Sequence, residues 1–387
     1  MANNKTVREP LFQVSKRGAI PLWQAIVIRA GAIIGGLLLT SCIFGAVVKT
    51  SPFAVLAQMF NGTFGNTNRI WILLRETSLL LLVGLALVPA FKMKFWNLGG
   101  NGQILVGALA TAMVMRSQLA VDNPELANVV MVLAAVVAGA VWAVIPAIFK
   151  AFFKTNESLF TLMMNYIAAG LVSFFVYKWV WPETSLGNIP TGHLPTIIKG
   201  SEAVTKSLLT ILCAVLFTFF MHFYIKNSKH GYEVSVVGES EKTAKYAGMS
   251  VKKVLIRTLV LSGAICGVVG LLLVGSVNFT LNSTIEENMG FTAIMATWLG
   301  KFNPFIMIAT SLLIIFMSKG MGFASSYFDL NNASIANVLV AFMYFIIIAC
   351  EFFILYKVTI NKRKKATKTG FLSEKVAETS NQEKEDK

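Results

Sequence analysis

Long apolar runs, separated by short polar loops, constrain this chain more than any other feature. A membrane-spanning helix needs about 20 mostly apolar residues, and candidates occur along almost the whole sequence. They are 22–48, 71–90, 103–119, 126–149, 158–181, 205–225, 254–275, 290–300, 303–318 and 334–356. Only 14% of the 387 residues are charged, against roughly 25% in soluble domains. The sequence therefore predicts an all-α polytopic membrane protein of about ten transmembrane helices, with its permeation domain over 22–356.

Two breaks rich in glycine interrupt or border these runs. Gly300 and Pro304 interrupt 290–318, and its first part, 290–300, is too short to cross alone, which predicts a broken or re-entrant segment there. A glycine-rich break at 95–103 lies beside the third run. Spans two to five and spans seven to ten start on opposite sides, and each set has its second member next to a break. Such paired interruptions are typical of an inverted repeat around a solute site.

The net charge of +15 follows membrane topology. Lysine and arginine collect in alternate loops, as cytoplasmic loops require, so nucleic acid is not indicated as a partner. Both termini are then cytoplasmic, with an N-terminal segment at 1–21, a long basic loop at 226–253 and a basic tail at 357–387. The tail has almost no apolar residues beyond Ile360, which predicts disorder.

No constellation of catalytic residues is visible. The chain lacks H-E-x-x-H, G-x-S-x-G and the phosphate-binding G-x-x-x-x-G-K-[ST] motifs. Its 3 histidines have no metal-ligand spacing, and its 4 cysteines lie in apolar runs. Few ionisable residues fall inside the spans, although ion-driven carriers and intramembrane enzymes need them. The sequence predicts a transport protein that is not an enzyme and holds no metal or cofactor, driven by another subunit. An ion-coupled secondary transporter and a solute channel remain alternatives.

Candidates for a solute pathway lie at the two breaks. In FWNLGGNGQ, at 95–103, polar amides and glycines enter an apolar helix, and irregular backbone at membrane depth is tolerated only against protein or water. A cytoplasmic turn with small residues is an equal interpretation. Glu76 and Asn165 are further candidates, with a local ion pair and an interhelical hydrogen bond as alternatives. The predicted pathway residues are Asn97, Gly99, Gly100, Asn101, Gln103, Glu76, Asn165, Phe291 and Thr292.

Aromatic residues at the breaks have two interpretations. Trp96, Phe291 and Trp298 could stack on a base or a sugar, and packing in the core or at the interface is the alternative.

The basic loop at 226–253 contains a helix signal. Ser240 suits an N-cap, Glu241 and Lys245 form an i,i+4 pair, and Gly248 suits a C-terminal stop. These features predict a short helix over 240–247. So short a helix is marginal alone and would be useful if docked on a partner. A solvated linker is the alternative.

Four sequence segments, which follow one another along the chain with the spacing expected for one family, carry a family resemblance. They are NLGGNGQILVGALATA, NESLFTLMMNYIA, GYEVSVVGESEKTAKYAGMSVKKVLI and GFTAIMATWLGKFNP. The chain resembles the permeases of bacterial ABC importers for simple sugars, nucleosides and branched-chain amino acids, and most resembles their nucleoside branch. The likeness covers about 20–356. Two departures are a long basic tail and Asn101, where the family usually has an acidic residue.

The resemblance implies a multi-pass protein of the bacterial inner membrane with a ten-helix fold like that of the vitamin B12 permease. It implies a cytoplasmic ABC ATPase that holds ATP and Mg²⁺, an extracytoplasmic solute-binding lipoprotein, and a second permease in a heterodimer, with a homodimer as the alternative. The imported solute would be nucleoside-like or sugar-like. The residues implied in coupling to the ATPase are Gly238, Glu239, Ser240, Glu241, Lys245, Tyr246, Ala247 and Gly248.

Overall fold

A computed structural model describes residues 12–16, 21–196, 200–329 and 333–360. Fourteen helices and a pair of strands are found in these ranges. The helices are α1 Leu22–Val48, α2 Pro52–Phe64, α3 Thr67–Lys92, α4 Gly100–Met115, α5 Gln118–Asp122, α6 Pro124–Phe153, α7 Glu157–Val180, α8 Glu202–Asn227, α9 Lys229–Glu239, α10 Glu241–Tyr246, α11 Val251–Leu272, α12 Met289–Leu299, α13 Pro304–Tyr327 and α14 Ala333–Leu355. A π-helical turn, Leu273–Asn278, continues α11.

The predicted helical membrane architecture is confirmed in its main part, and the described residues depart from the all-α prediction by one pair of short strands. Within the described ranges, seven helices are long and apolar enough to cross a bilayer, and three shorter apolar helices, Gly100–Met115, Met289–Leu299 and Asn337–Cys350, accompany them. Each of the ten predicted runs coincides with one of these helices. The short run at 290–300 forms α12, with only 11 residues.

Contacts divide the chain into two units, the smaller of which comprises residues 1–43 and 341–387. In it, strand β1, Phe12–Lys16, pairs antiparallel with β2, Tyr356–Ile360. The predicted tail begins at residue 357, so its first four residues belong to β2, and 361–387 lie outside the described residues. Helices α1 and α14 also contact each other in this unit, where the Sγ atom of Cys350 lies 3.5 Å from the carbonyl oxygen of Ile28.

The larger unit, residues 44–340, is built around α3 and α11, the most buried of its spans. Small residues let α11 approach α6 closely. A Cβ atom added to Gly263 would overlap the carbonyl oxygen of Gly139, and one added to Gly139 would overlap that of Gly263. In lipid, where apolar surface alone does not drive association, such close backbone contact provides the packing energy between helices.

Besides the pairing of β1 with β2, three helical features were not predicted from the sequence. Helix α2 follows Ser51, whose Oγ accepts the Ala54 N–H, and has Pro52 in its first turn. Helix α9 occupies 11 residues of the loop at 226–253, for which only 240–247 was predicted as helical. The π-helical turn extends α11 up to Asn278, which is followed by Phe279 in the left-handed region (φ 53°).

Candidate functional site

The polypeptide between α3 and α4 is held by side-chain amides. Asn97 is fully buried, and its Oδ1 accepts the Gly99 N–H at 3.0 Å while its Nδ2 donates to the Ser262 hydroxyl on α11 at 3.1 Å. Gln103 donates to the same Oδ1 at 3.4 Å. The first N–H groups of any helix lack partners within the helix, so Asn97 closes the start of α4 and ties it to α11.

Helix α7 contributes the next amide. Asn165 accepts the Gly102 N–H at 2.8 Å and donates to the carbonyl oxygen of Leu98 at 2.9 Å. The Thr161 hydroxyl, one turn earlier, accepts the Leu98 N–H at 3.1 Å. The interhelical hydrogen bond considered for Asn165 is therefore present, and it positions the backbone of the break.

The glycine-rich break at 95–103 meets the start of the short segment 290–300 at Asn101. Its Oδ1 accepts the Gly290 N–H at 2.7 Å, and its Nδ2 donates to Oδ1 of Asn288 at 3.3 Å. A Cβ added to Gly100 would lie 3.2 Å from the Cα of Gly290, so neither break could carry a larger residue without moving the other. We call Asn97, Asn101, Gln103 and Asn165 the amide cluster. It joins the starts of α4 and α12, which are 189 residues apart along the chain.

The other predicted pathway residues have different surroundings. Glu76 is buried and its Oε1 lies 2.9 Å from the Arg75 guanidinium, so it has the local ion pair considered as an alternative. Phe291 is 38% exposed, and Thr292, beside it, bonds to the Asn288 carbonyl of its own helix. The structure thus brings the amide cluster, Phe291 and Thr292 together around one junction, with Glu76 on α3 paired separately. A direct role of these residues in solute passage stays a prediction.

In the basic loop at 226–253, the Ser240 N-cap is observed. Its Oγ accepts the Thr243 N–H at 3.2 Å, and α10 follows. Ala244 is fully buried in a cluster with Phe95, Val237 and Leu255, whereas Tyr246 is 92% exposed. Gly248 has φ +76° with open space around it, so the left-handed stop is as predicted. Helix α10 is therefore anchored through one face and free on the other.

Helix α9 connects α10 to the membrane helices. A Cβ added to Gly238 would overlap the carbonyl oxygen of Lys92, the last residue of α3. On the same helix, Glu233 accepts a hydrogen bond from Arg257 of α11 at 2.7 Å. This bond lowers the pKa of the Glu233 carboxyl, so the pair remains charged at neutral pH. A displacement of α10 would consequently reach α3, α11 and the break before α4.

Several residues around the junction were missed. Ser262 and Asn288 complete the hydrogen bonds of the amide cluster, and Glu286 is 7% exposed with no partner for its Oε2 among the described residues. Charge alone would put Glu286 and Glu287 in a loop on the side opposite the basic loops. The glycine and asparagine content of 288–290 was the only signal available, since contacts across so many residues leave no local pattern.

The sequence of this chain is similar to those of known transport proteins. A model of the family described as "Branched-chain amino acid transport system / permease component" matches residues 69–350. The guanosine ABC transporter permease protein NupP of Bacillus subtilis (strain 168) is 30% identical over 259 residues, covering 63% of this chain and 71% of that protein.

Two further relatives are similar over more of the chain. The glucose ABC transporter permease protein TsgB13 of Haloferax volcanii is 27% identical over 371 residues, which are 90% of this chain and 94% of the relative. The nucleoside ABC transporter permease protein NupB of Lactococcus lactis subsp. cremoris is 25% identical, covering 82% and 85% respectively. No solved structure matches significantly.

Proposed function

Since the chain belongs to the family of branched-chain amino acid transport system permease components, we propose that it is the membrane-spanning subunit of an ATP-driven importer for a nucleoside-like or simple-sugar-like solute. The names of the relatives above support this solute class. The chain itself performs no covalent chemistry in this proposal, and ATP with Mg²⁺ is bound by the partner ATPase.

One observation carries the proposal, namely the cytoplasmic helix α10. Its buried Ala244 anchors it, and its outer surface presents Glu241, Lys245 and Tyr246. A solvated linker would not need a capped helix packed on a buried cluster. A docking element needs an exposed face that is held in place by packing on its other face. We therefore propose that residues 238–248 couple the permease to a cytoplasmic ABC ATPase.

The proposed membrane arrangement extends the observed one. The seven long and three shorter apolar helices would make ten membrane segments, with both termini in the cytoplasm of a bacterial cell and the chain in its inner membrane. The meeting of α4 and α12 start to start, at Gly100 and Gly290, supports an inverted repeat whose two breaks face each other. A second permease, in a heterodimer or a homodimer, and an extracytoplasmic solute-binding lipoprotein would complete the importer.

Transport would proceed by alternating access. Closure of the ATPase pair displaces α10, and the Gly238–Lys92 contact transmits that movement to α3 and the amide cluster. The hydrogen bonds of Asn101 keep the two breaks together while the permease halves rock, and those of Asn97 and Asn165 hold the break before α4 against α11 and α7. A solute responds to this cycle only through its different affinity for the two states.

Replacement of Tyr246 by alanine tests the coupling role. If α10 docks on the ATPase, loss of its most exposed large side chain removes about 2 kcal/mol of docking free energy, the size typical of an interface hot spot. We expect ATP-dependent solute uptake by cells to fall about tenfold, and the ATPase to be lost on purification. Glu241→Lys should act in the same direction.

The matched control is Tyr177→Ala, an exposed tyrosine in α7, which should leave uptake unchanged. Normal uptake and normal ATPase recovery in the Tyr246 variant would contradict the coupling role. To distinguish the importer from an ion-coupled carrier or a channel, uptake is measured after ATP depletion and after an ionophore is added. Sensitivity to the ionophore at constant ATP would favour the carrier, and flux without ATP would favour the channel.

A further inference from the structure

Helix α12 has one face that the described chain does not cover. Ala293, Ala296 and Thr297 are buried against the neighbouring helices. At helical spacing, Asn288, Phe291, Met295 and Trp298 lie on one side, where Phe291 is 38% and Trp298 46% exposed. This exposed stripe is polar at its start and aromatic at its end.

The aromatic end of the stripe is extended by the other break. The rings of Trp298 and Trp96 stack with centroids 5.5 Å apart and an interplanar angle of 21°. Phe91, which is buried, lies behind them, 6.0 Å from Trp96 and 6.3 Å from Trp298. Trp96 is itself 45% exposed. Two tryptophans from the two broken segments therefore form one partly open aromatic surface.

Lipid is a poor candidate to cover the start of this stripe. Glu287, immediately before α12, lies 3.3 Å from the Lys319 ammonium of α13, and Lys319 is about 22 Å along that helix from Pro304. Glu287 and Asn288 are exposed beside this spanning helix, in a stretch where both have left-handed backbone (φ 45° and 56°). Exposed carboxylates, amides and irregular backbone inside a bilayer require water or protein around them.

The stripe thus begins at the exposed polar residues before α12 and follows that helix, which has 11 residues and is about 16 Å long, to the paired tryptophans. We propose that Trp96 and Trp298 form a stacking platform for the nucleobase of a nucleoside solute on this path. The inference rests on the proposed function and narrows its solute class. Stacking suits a transit site because every base has a flat face and no hydrogen bonds must be exchanged. A simple sugar without a base lacks such a face.

The test compares three variants in cells that produce the complete transporter, with guanosine as the probe at a concentration well below saturation. Trp298→Leu should lower guanosine uptake about tenfold, within the range that one aromatic ring contributes to stacking on a base. Trp298→Phe, which keeps a ring, should retain most of the uptake. The control is Trp181→Leu, since Trp181 is an exposed tryptophan (67%) outside the breaks and should be neutral.

Two measurements separate the platform from a structural role. The ATPase should co-purify with Trp298→Leu and hydrolyse ATP at the unmodified basal rate, because stacking on a solute does not affect assembly. In the unmodified complex, photolabelling with 8-azidoguanosine should modify peptides that contain Trp96 or Trp298. The labelling requires no variant to fold.

Each contrary result overturns the platform. Guanosine uptake by Trp298→Leu equal to that of Trp181→Leu would do so, as would equal loss in the leucine and phenylalanine variants. Loss of the ATPase from Trp298→Leu would make the stack a subunit contact instead. ATP-dependent uptake of glucose but of no nucleoside would refute the platform and leave the importer intact, whereas absence of any ATP-dependent uptake would refute both.

Discussion

Leucine in place of Gly263 is expected to remove most of the folded protein from the membrane. Gly263 lies where α11 crosses α6, and even one added carbon there would overlap the carbonyl oxygen of Gly139. Forcing a four-carbon side chain into so close a contact costs about 3 kcal/mol or more, a large part of the 5–15 kcal/mol that stabilises a typical protein. The yield of monodisperse protein in detergent and its thermal midpoint measure the effect.

Gly170→Leu is the matched control for this prediction. Gly170 lies in the spanning helix α7, and a Cβ added there would meet nothing within 4 Å. The change in chemistry is the same, so the difference between the variants reports the helix crossing alone. Equal yields and equal midpoints for the two variants would show that the α6–α11 contact is looser than described.

Substitution of Asn101 is expected to have the second large effect. The size of the loss of uptake depends on the residue that replaces it. Asn101→Leu leaves the buried Gly290 N–H without an acceptor, which costs about 1–3 kcal/mol, and crowds the glycine it contacts. ATP-dependent uptake should then fall at least about tenfold. Asn101→Asp keeps the acceptor at the start of α12, where the helix dipole favours negative charge, so uptake should stay within about threefold of the unmodified value.

The aspartate variant is tolerable because of its second partner. The Nδ2 of Asn101 donates to Asn288, whose exposed amide can rotate and present its own Nδ2 to a carboxylate. Asn165 provides the contrast, since its Nδ2 donates to the Leu98 carbonyl oxygen, which cannot become a donor. Asn165→Asp should therefore lose most uptake. If Asn101→Asp and Asn165→Asp behave alike, the hydrogen-bond assignment at one of them is wrong.

The prediction for Asn101→Asp also explains the departure noted in the sequence. The family resemblance described above implies an acidic residue at this position. In this chain an amide makes the same bond to the Gly290 N–H at 2.7 Å. The junction between the breaks can therefore be kept by either residue, provided that position 288 supplies the matching donor or acceptor.

The helices that could be predicted from the sequence are those that local patterns specify, namely apolar runs and capping residues. Spanning helices were located because lipid demands a continuous apolar run and internally satisfied backbone. The helix α10 was located because a serine N-cap and a glycine stop act within a few residues of each other. The edges of α4 were less accurate and α9 was not predicted, since packing against other helices, rather than local propensity, sets where these helices begin.

By itself, then, the sequence determined that this is a multi-span helical permease with two glycine-rich breaks and a short capped helix in its basic loop. Only the tertiary structure decided that Asn101 of one break bonds Gly290 of the other, that Trp96 stacks on Trp298, and that Gly238 rests on the end of α3. The physical reason is range. A span or a cap is stabilised by residues within one or two turns, whereas each of these contacts joins groups distant along the chain, whose pairing depends on how all the helices pack.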